Sequence, residues 1–177
     1  MNQRPPLAAA MGSGAVPCRY YAVTREGAVS GYEVLEAAIA AARTLGEGTD
    51  IVDTLATPYF PMVQRIEKGE PIYVEYGAWP TRTSPEQNLI EAAKKGYPPI
   101  LRAFLARGPD INGRDTRGST ALMWAVASRV PENVRILIEA GSALDARDRD
   151  GVTALKLARA KGLTEIAELL LRAGARE

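Results

Sequence analysis

Three aspartates, Asp145, Asp148 and Asp150, crowd together near one end of the sequence. Carboxylates so close could hold a hard cation. A helix–loop–helix calcium site, however, needs a glycine and a final bidentate glutamate at set spacing, and both constraints fail here. Arg147 and Arg149 alternate with the acids, so ion pairing on a solvated turn is the better account. Nucleophilic catalysis has equally little to build on. Cys18 is the one cysteine and the chain has no histidine at all, which removes the usual neutral-pH base and the commonest zinc ligand. The serines lack a G-x-S-x-G setting, and neither a dinucleotide glycine fingerprint nor a phosphate loop is present. "GSG" at Gly12–Gly14 is too short to mean anything by itself. Hydrolysis by a carboxylate pair stays as the enzymatic alternative, because acids are plentiful. The residues imply no catalytic site, no metal and no cofactor.

Composition sets further bounds. The chain has 177 residues, with 22 Lys and Arg against 21 Asp and Glu, a formal charge of +1. No basic run interleaved with aromatics suggests a duplex-binding patch, and no apolar run is long enough to span a bilayer. A lone cysteine favours a reducing, cytoplasmic setting only weakly, leaving secretion or a periplasmic location open. Residues 1–17 read as a flexible tail, since Gly12, Ser13 and Gly14 interrupt what would be the apolar core of a secretory signal.

The elements that would position any site declare themselves by repetition. "DTRGSTALMWAVAS" (Asp115–Ser128) and "DRDGVTALKLARAK" (Asp148–Lys161) lie 33 positions apart. The same shift superposes Leu89, Leu122 and Leu155, then Ala92, Ala125 and Ala158, then Gly108, Gly141 and Gly174. A fixed period in this range signals stacked units that bury each other's apolar faces. Each unit reads as a short helix capped by Thr120 or Thr153, a turn, and a second helix over Pro99–Ala106, Glu132–Glu139 or Thr164–Arg172. Gly96 and Gly162 suit the turn, where the middle unit has Arg129. A glycine closes each second helix, where a left-handed residue is cheapest. Three units follow, at about 85–114, 115–147 and 148–177.

The pattern "D-x-x-G-x-T-x-L-x-x-A", a second helix and "G-A" resembles the ankyrin repeat. Ala121 and Ala154 replace that family's usual proline, and Met123 and Lys156 its histidine. The resemblance implies an all-α solenoid of helix–turn–helix units joined by exposed β-turn fingers, with an atypical N-terminal capping segment over residues 18–84. Within that segment "YEVLEAAIAAARTL" (Tyr32–Leu45) is a helix, and "CRYYAVT" a short strand or extended arm. "MVQRIEKGEPIY" (Met62–Tyr73) can be laid on Leu101–Asn112 with Gly69 on Gly108. On that reading Asp50–Ala56 and the following residues make a degenerate repeat over 50–84, and an unrelated capping helix ending in Gly69 is the alternative.

The family most often binds proteins through finger tips and the concave face of the inner helices, which is argument by analogy. Carried onto this sequence, it places Thr83, Ser84 and Glu86, then Thr116, Arg117 and Ser119, then Arg149, Asp150 and Val152 on exposed fingers. Lys94, Lys95, Ala127, Ser128, Ala160 and Lys161 fall at the concave ends of the inner helices, with Arg114 and Arg147 beside them. Cations dominate this strip, so an acidic protein partner is expected. "YVEYGAWPTRTSP" is extended or looped; as a long finger it would add Tyr76, Trp79 and Arg82 to the interface. Trp124 reads as core, and Met123 and Lys156 as structural. The function expected is non-enzymatic protein recognition, the alternative a dedicated inhibitor or immunity protein that neutralises a partner enzyme or toxin. An adaptor would bind without inhibiting.

Overall fold

The computed structural model describes residues 18–54, 62–74 and 84–176. They form two compact units, each considered by itself: one holds the residues up to 83 together with 99–108, the other 84–98 and everything from 109 onward.

The first unit corrects the all-α expectation, because it contains a five-stranded sheet. Strands β1 (Tyr20–Val23), β2 (Val29–Tyr32), β3 (Asp50–Asp53), β4 (Met62–Glu67) and β5 (Glu70–Val74) lie in the order β2-β1-β3-β4-β5, antiparallel throughout. Helix α1 (Leu35–Leu45) links β2 to β3 and lays Ala38 and Ala42 on Ala22, Ile51 and Ile66. Alanine at both helical positions lets backbone and sheet approach closely. Tyr20, Tyr32, Leu35 and Ile39 pack around that core. On the other face Tyr21, Val23, Val52 and Val63 are also buried.

The expected degenerate repeat is replaced by strands. Asp50–Asp53 begins no helix: Ile51 and Val52 are β-branched neighbours pointing to opposite faces, and both are fully buried, as in a central strand. Met62–Tyr73 is a hairpin in place of a helix ending in Gly69. Lys68 and Gly69 have φ of 52° and 79°, the paired left-handed conformation whose twist matches antiparallel strands. Pro71 would also break a helix one turn further on. The Glu47 carboxylate accepts both turn amides, Lys68 N and Gly69 N, at 2.9 Å each. Two ion pairs cross the sheet's strands and margin: Arg65 Nε on Asp50 at 2.7 Å and Arg19 Nη2 on Asp53 at 2.8 Å, with both aspartates buried. Most of helix α3 (Pro98–Leu105) lies in this unit, and the Arg107 guanidinium that follows it donates to Cys18 O and Thr54 Oγ1.

The second unit holds the rest of the repeat region. Helices α2 (Pro85–Lys95), α4 (Ala121–Ser128) and α6 (Ala154–Ala160) are the inner members, α4 packing between the other two. Helix α3 (Pro98–Leu105) follows α2, α5 (Pro131–Glu139) follows α4, and α7 (Thr164–Arg172) follows α6; α5 packs on α7. Leu89, Ala92, Leu122, Ala125, Leu155 and Ala158 fill the inner seam, and Ile136, Leu137 and Leu170 the outer. Helix α2 starts with a reciprocal capping box between Ser84 and Gln87, with Pro85 at the first helical position.

Thr153 caps α6 through Lys156 N as expected, but Thr120 does not cap α4; its Oγ1 is buried without a hydrogen-bond partner among the described residues. Arg129 holds the left-handed conformation, φ 62°, that Gly96 adopts in the turn after α2. Successive units are stitched in register: Asn112 Oδ1 accepts from Ala143 N at 2.8 Å, and Asp145 Oδ1 from Arg176 N at 2.7 Å. The crowded aspartates thus include one that serves as an acceptor for backbone.

Candidate functional site

The fingers between helices sort their charges. In the first, Asp115 N donates to Ser119 O and Gly118 N to Asp115 O, closing a tight turn. Asp115 Oδ1 accepts from Arg117 N at 2.8 Å and Ser119 N at 2.9 Å, while Oδ2 accepts from Trp124 Nε1 at 2.8 Å. In the second, Asp148 Oδ1 accepts from Asp150 N at 3.0 Å and Val152 N at 2.8 Å. The carboxylates are therefore turned onto backbone. Arginines do the opposite. Arg149 N donates to Arg117 O at 3.0 Å, setting the two finger tips side by side. The exposed guanidinium groups of Arg117 and Arg149 make no hydrogen bond or ion pair among the described residues.

Burial alone would raise the Asp115 carboxyl. The bonds from Trp124, Ser119 and Arg117 outweigh it and hold the group below the usual aspartate range. It stays ionised, committed to holding the turn.

Trp124 is the main departure from expectation within the repeats. It is partly exposed, not core. Its N–H is fixed by Asp115, and the Lys94 ammonium stands over its ring, 5.3 Å from the centroid. Lys94 is itself paired with Glu91 at 3.3 Å. One signal in the sequence does locate this residue: the repeat shift places Trp124 in the same column as Glu91, and a column that holds a glutamate is seldom fully buried. Comparison with Leu157 alone suggested the opposite.

The remaining expected site residues divide. Lys94, Thr116, Asp150 and Lys161 are exposed and Lys95 is partly buried. Arg114 and Arg147 are exposed, yet their guanidinium groups are spent on carbonyls: Arg114 on Gly118 O at 2.9 Å and on Arg147 O, Arg147 on Gly151 O at 3.3 Å. Three of the residues read as exposed are corrected. Ser119 is buried and Val152 partly so, because the amide of each is drawn inward by the finger aspartate. Ser84 caps α2, and Glu86, in its first turn, is partly buried. Tyr76, Trp79, Arg82 and Thr83 lie outside the described residues, as does the tail at 1–17.

A finger, an inner helix and an outer helix thus recur, and in both fingers the aspartate accepts from the amides two and four residues on. A family model described as ankyrin repeats, in three copies, matches residues 89–176. Residues 89–176 belong to the ankyrin repeat family. Among curated proteins, an ankyrin repeat domain-containing protein of Stachybotrys chartarum, SAT10, is 47% identical over 45 residues, which is 25% of this chain and 2% of that protein. The chain therefore spans a small fraction of that relative's length. Ankyrin repeats generally bind other proteins and are typically non-enzymatic. Among the described residues, no group of three His, Cys, Asp or Glu side chains converges as a metal site, and no helix is long and apolar enough to cross a membrane.

Proposed function

We propose that this chain is a non-catalytic recognition module whose ankyrin repeats, acting as a short solenoid, bind an acidic surface of another protein. The observation that carries this reading is the sorting of charge in the fingers. Asp115 is consumed by two backbone amides and the Trp124 indole and Asp148 by two backbone amides, while Arg117 and Arg149 stand outward and adjacent. Lys94 and Lys161 extend the cationic strip along the inner helices. A near-neutral chain thereby presents a positive face locally. Such a face speeds encounter and fixes register with a complementary partner more than it adds raw affinity.

The test is affinity capture with the intact protein and with the double variant Arg117→Glu, Arg149→Glu, followed by reconstitution with the purified partner. A stoichiometric partner held by the wild type, lost from the variant and released by added salt is the expected result. Equal retention by both baits, with both melting at the same temperature, would sink the reading. Assaying the partner with and without this chain then separates an inhibitor from an adaptor.

A further inference from the structure

We infer that Trp124 is the anchor of this face, and that the segment it receives carries a large apolar side chain flanked by carboxylates. The inference rests on the reading just given and specifies its ligand. The indole N–H is already spent on Asp115 Oδ2 at 2.8 Å. Trp124 therefore has no hydrogen bond to offer and meets a ligand with apolar ring surface alone. That ring is held at its N–H by Asp115 and across one face by Lys94. Its rotamer is fixed before anything binds, so little side-chain entropy remains to be lost. Pre-positioned tryptophans carry much of the energy at protein interfaces.

The surroundings define the rest of the ligand. In the same column Leu157, on neighbouring α6, is partly exposed, and the column of Lys94 continues as Ala127 and Ala160 in the next two repeats. Small side chains beside a fixed indole leave room for a bulky apolar group. Lys94 lies against the ring, Arg117 belongs to the finger turn whose aspartate holds the indole, and Arg149 is bonded to Arg117 through the backbone. An apolar group seated on Trp124 would thus have cations for its acidic neighbours.

Two short synthetic peptides test this on the intact protein: a run of glutamates with a central phenylalanine, and the same run with a central serine. Binding is measured by calorimetry at low salt. In parallel the indole N–H signals of the chain's two tryptophans are followed by NMR, the Trp124 signal being assigned by its loss in Trp124→Phe. The phenylalanine peptide should bind about tenfold tighter and shift the Trp124 signal. Equal affinity for both peptides, each still abolished by Arg117→Glu with Arg149→Glu, would overturn the anchor while leaving the cationic face. No binding of either peptide would overturn the reading beneath it. Tighter binding of a duplex DNA oligonucleotide than of either peptide would overturn the choice of a protein ligand. The comparison uses wild-type protein, so it holds even if truncating Trp124 unfolds the repeat.

Discussion

Trp124 Nε1 donates to Asp115 Oδ2 at 2.8 Å, so an inner helix grips the finger that precedes it. Asp148 holds the next finger through its amides alone, because Leu157 stands where Trp124 does one repeat earlier. Asp115→Ala should therefore cost about 2–3 kcal/mol and Asp148→Ala about 1 kcal/mol less. Urea unfolding of both variants checks this, and equal losses would show that the indole bond contributes nothing.

The same carboxylate makes the repeats sensitive to acid. Burial acts to raise it, but the bonds from Trp124, Ser119 and Arg117 hold it below its ordinary value of 3.8. A depressed folded-state value means that the stabilisation is present above the unfolded value and is lost as pH falls through the folded one. Melting temperatures taken from about pH 5 to about pH 2 should drop less steeply for Asp115→Asn than for the wild type. Parallel curves would refute the assignment.

Asn133 is fully buried on α5, with neither its amide nitrogen nor its oxygen partnered among the described residues. Ile100 and Ile166 occupy its place in the flanking repeats. An unsatisfied buried amide costs about 1–3 kcal/mol. Asn133→Ile should raise stability by about that amount, read as a higher urea midpoint. A lower midpoint would mean that the amide has a use not visible in its contacts.

Arg129 sits at φ 62°, where its counterparts are Gly96 and Gly162. The left-handed region costs a side chain about 1–2 kcal/mol, and glycine's extra freedom when unfolded returns part of that. Arg129→Gly should thus stabilise by about 0.5–1 kcal/mol. Thermal unfolding decides the sign.

Glu47 spans the hairpin turn by accepting both Lys68 N and Gly69 N. Glu47→Ala should speed amide exchange at those two residues by about tenfold while leaving the repeat helices unchanged. Uniform acceleration across the chain would instead indicate global destabilisation.

The repeats were legible because their information is redundant. Leu89, Leu122 and Leu155 state the same position three times, and Thr164–Arg172 emerged with the bounds expected of it. Residues 18–74 offer no second copy against which to check a reading. There "VQRIEKGEPI" carries a helix-like end at Gly69 and a hairpin turn at Lys68–Gly69 in the same letters. Only pairing with β3, which no local pattern announces, decides between them. At the candidate site, residue types were readable and direction was not. Nothing in "DTRGS" says that the aspartate turns onto backbone while the arginine faces water. That follows from the two backbone amides placed within reach of one carboxylate.

Asn112 and Asp145 give this scaffold an editing property. Each offers its oxygen to a backbone amide 31 residues downstream, in Ala143 and Arg176 respectively. Because acceptor and donor recur in step, a duplicated copy of residues 115–147, inserted in frame after Arg147, would present both halves of the stitch at both new junctions. The repeat stack can therefore lengthen by whole units with this stitch intact, whereas an insertion of another length between acceptor and donor puts the two out of step.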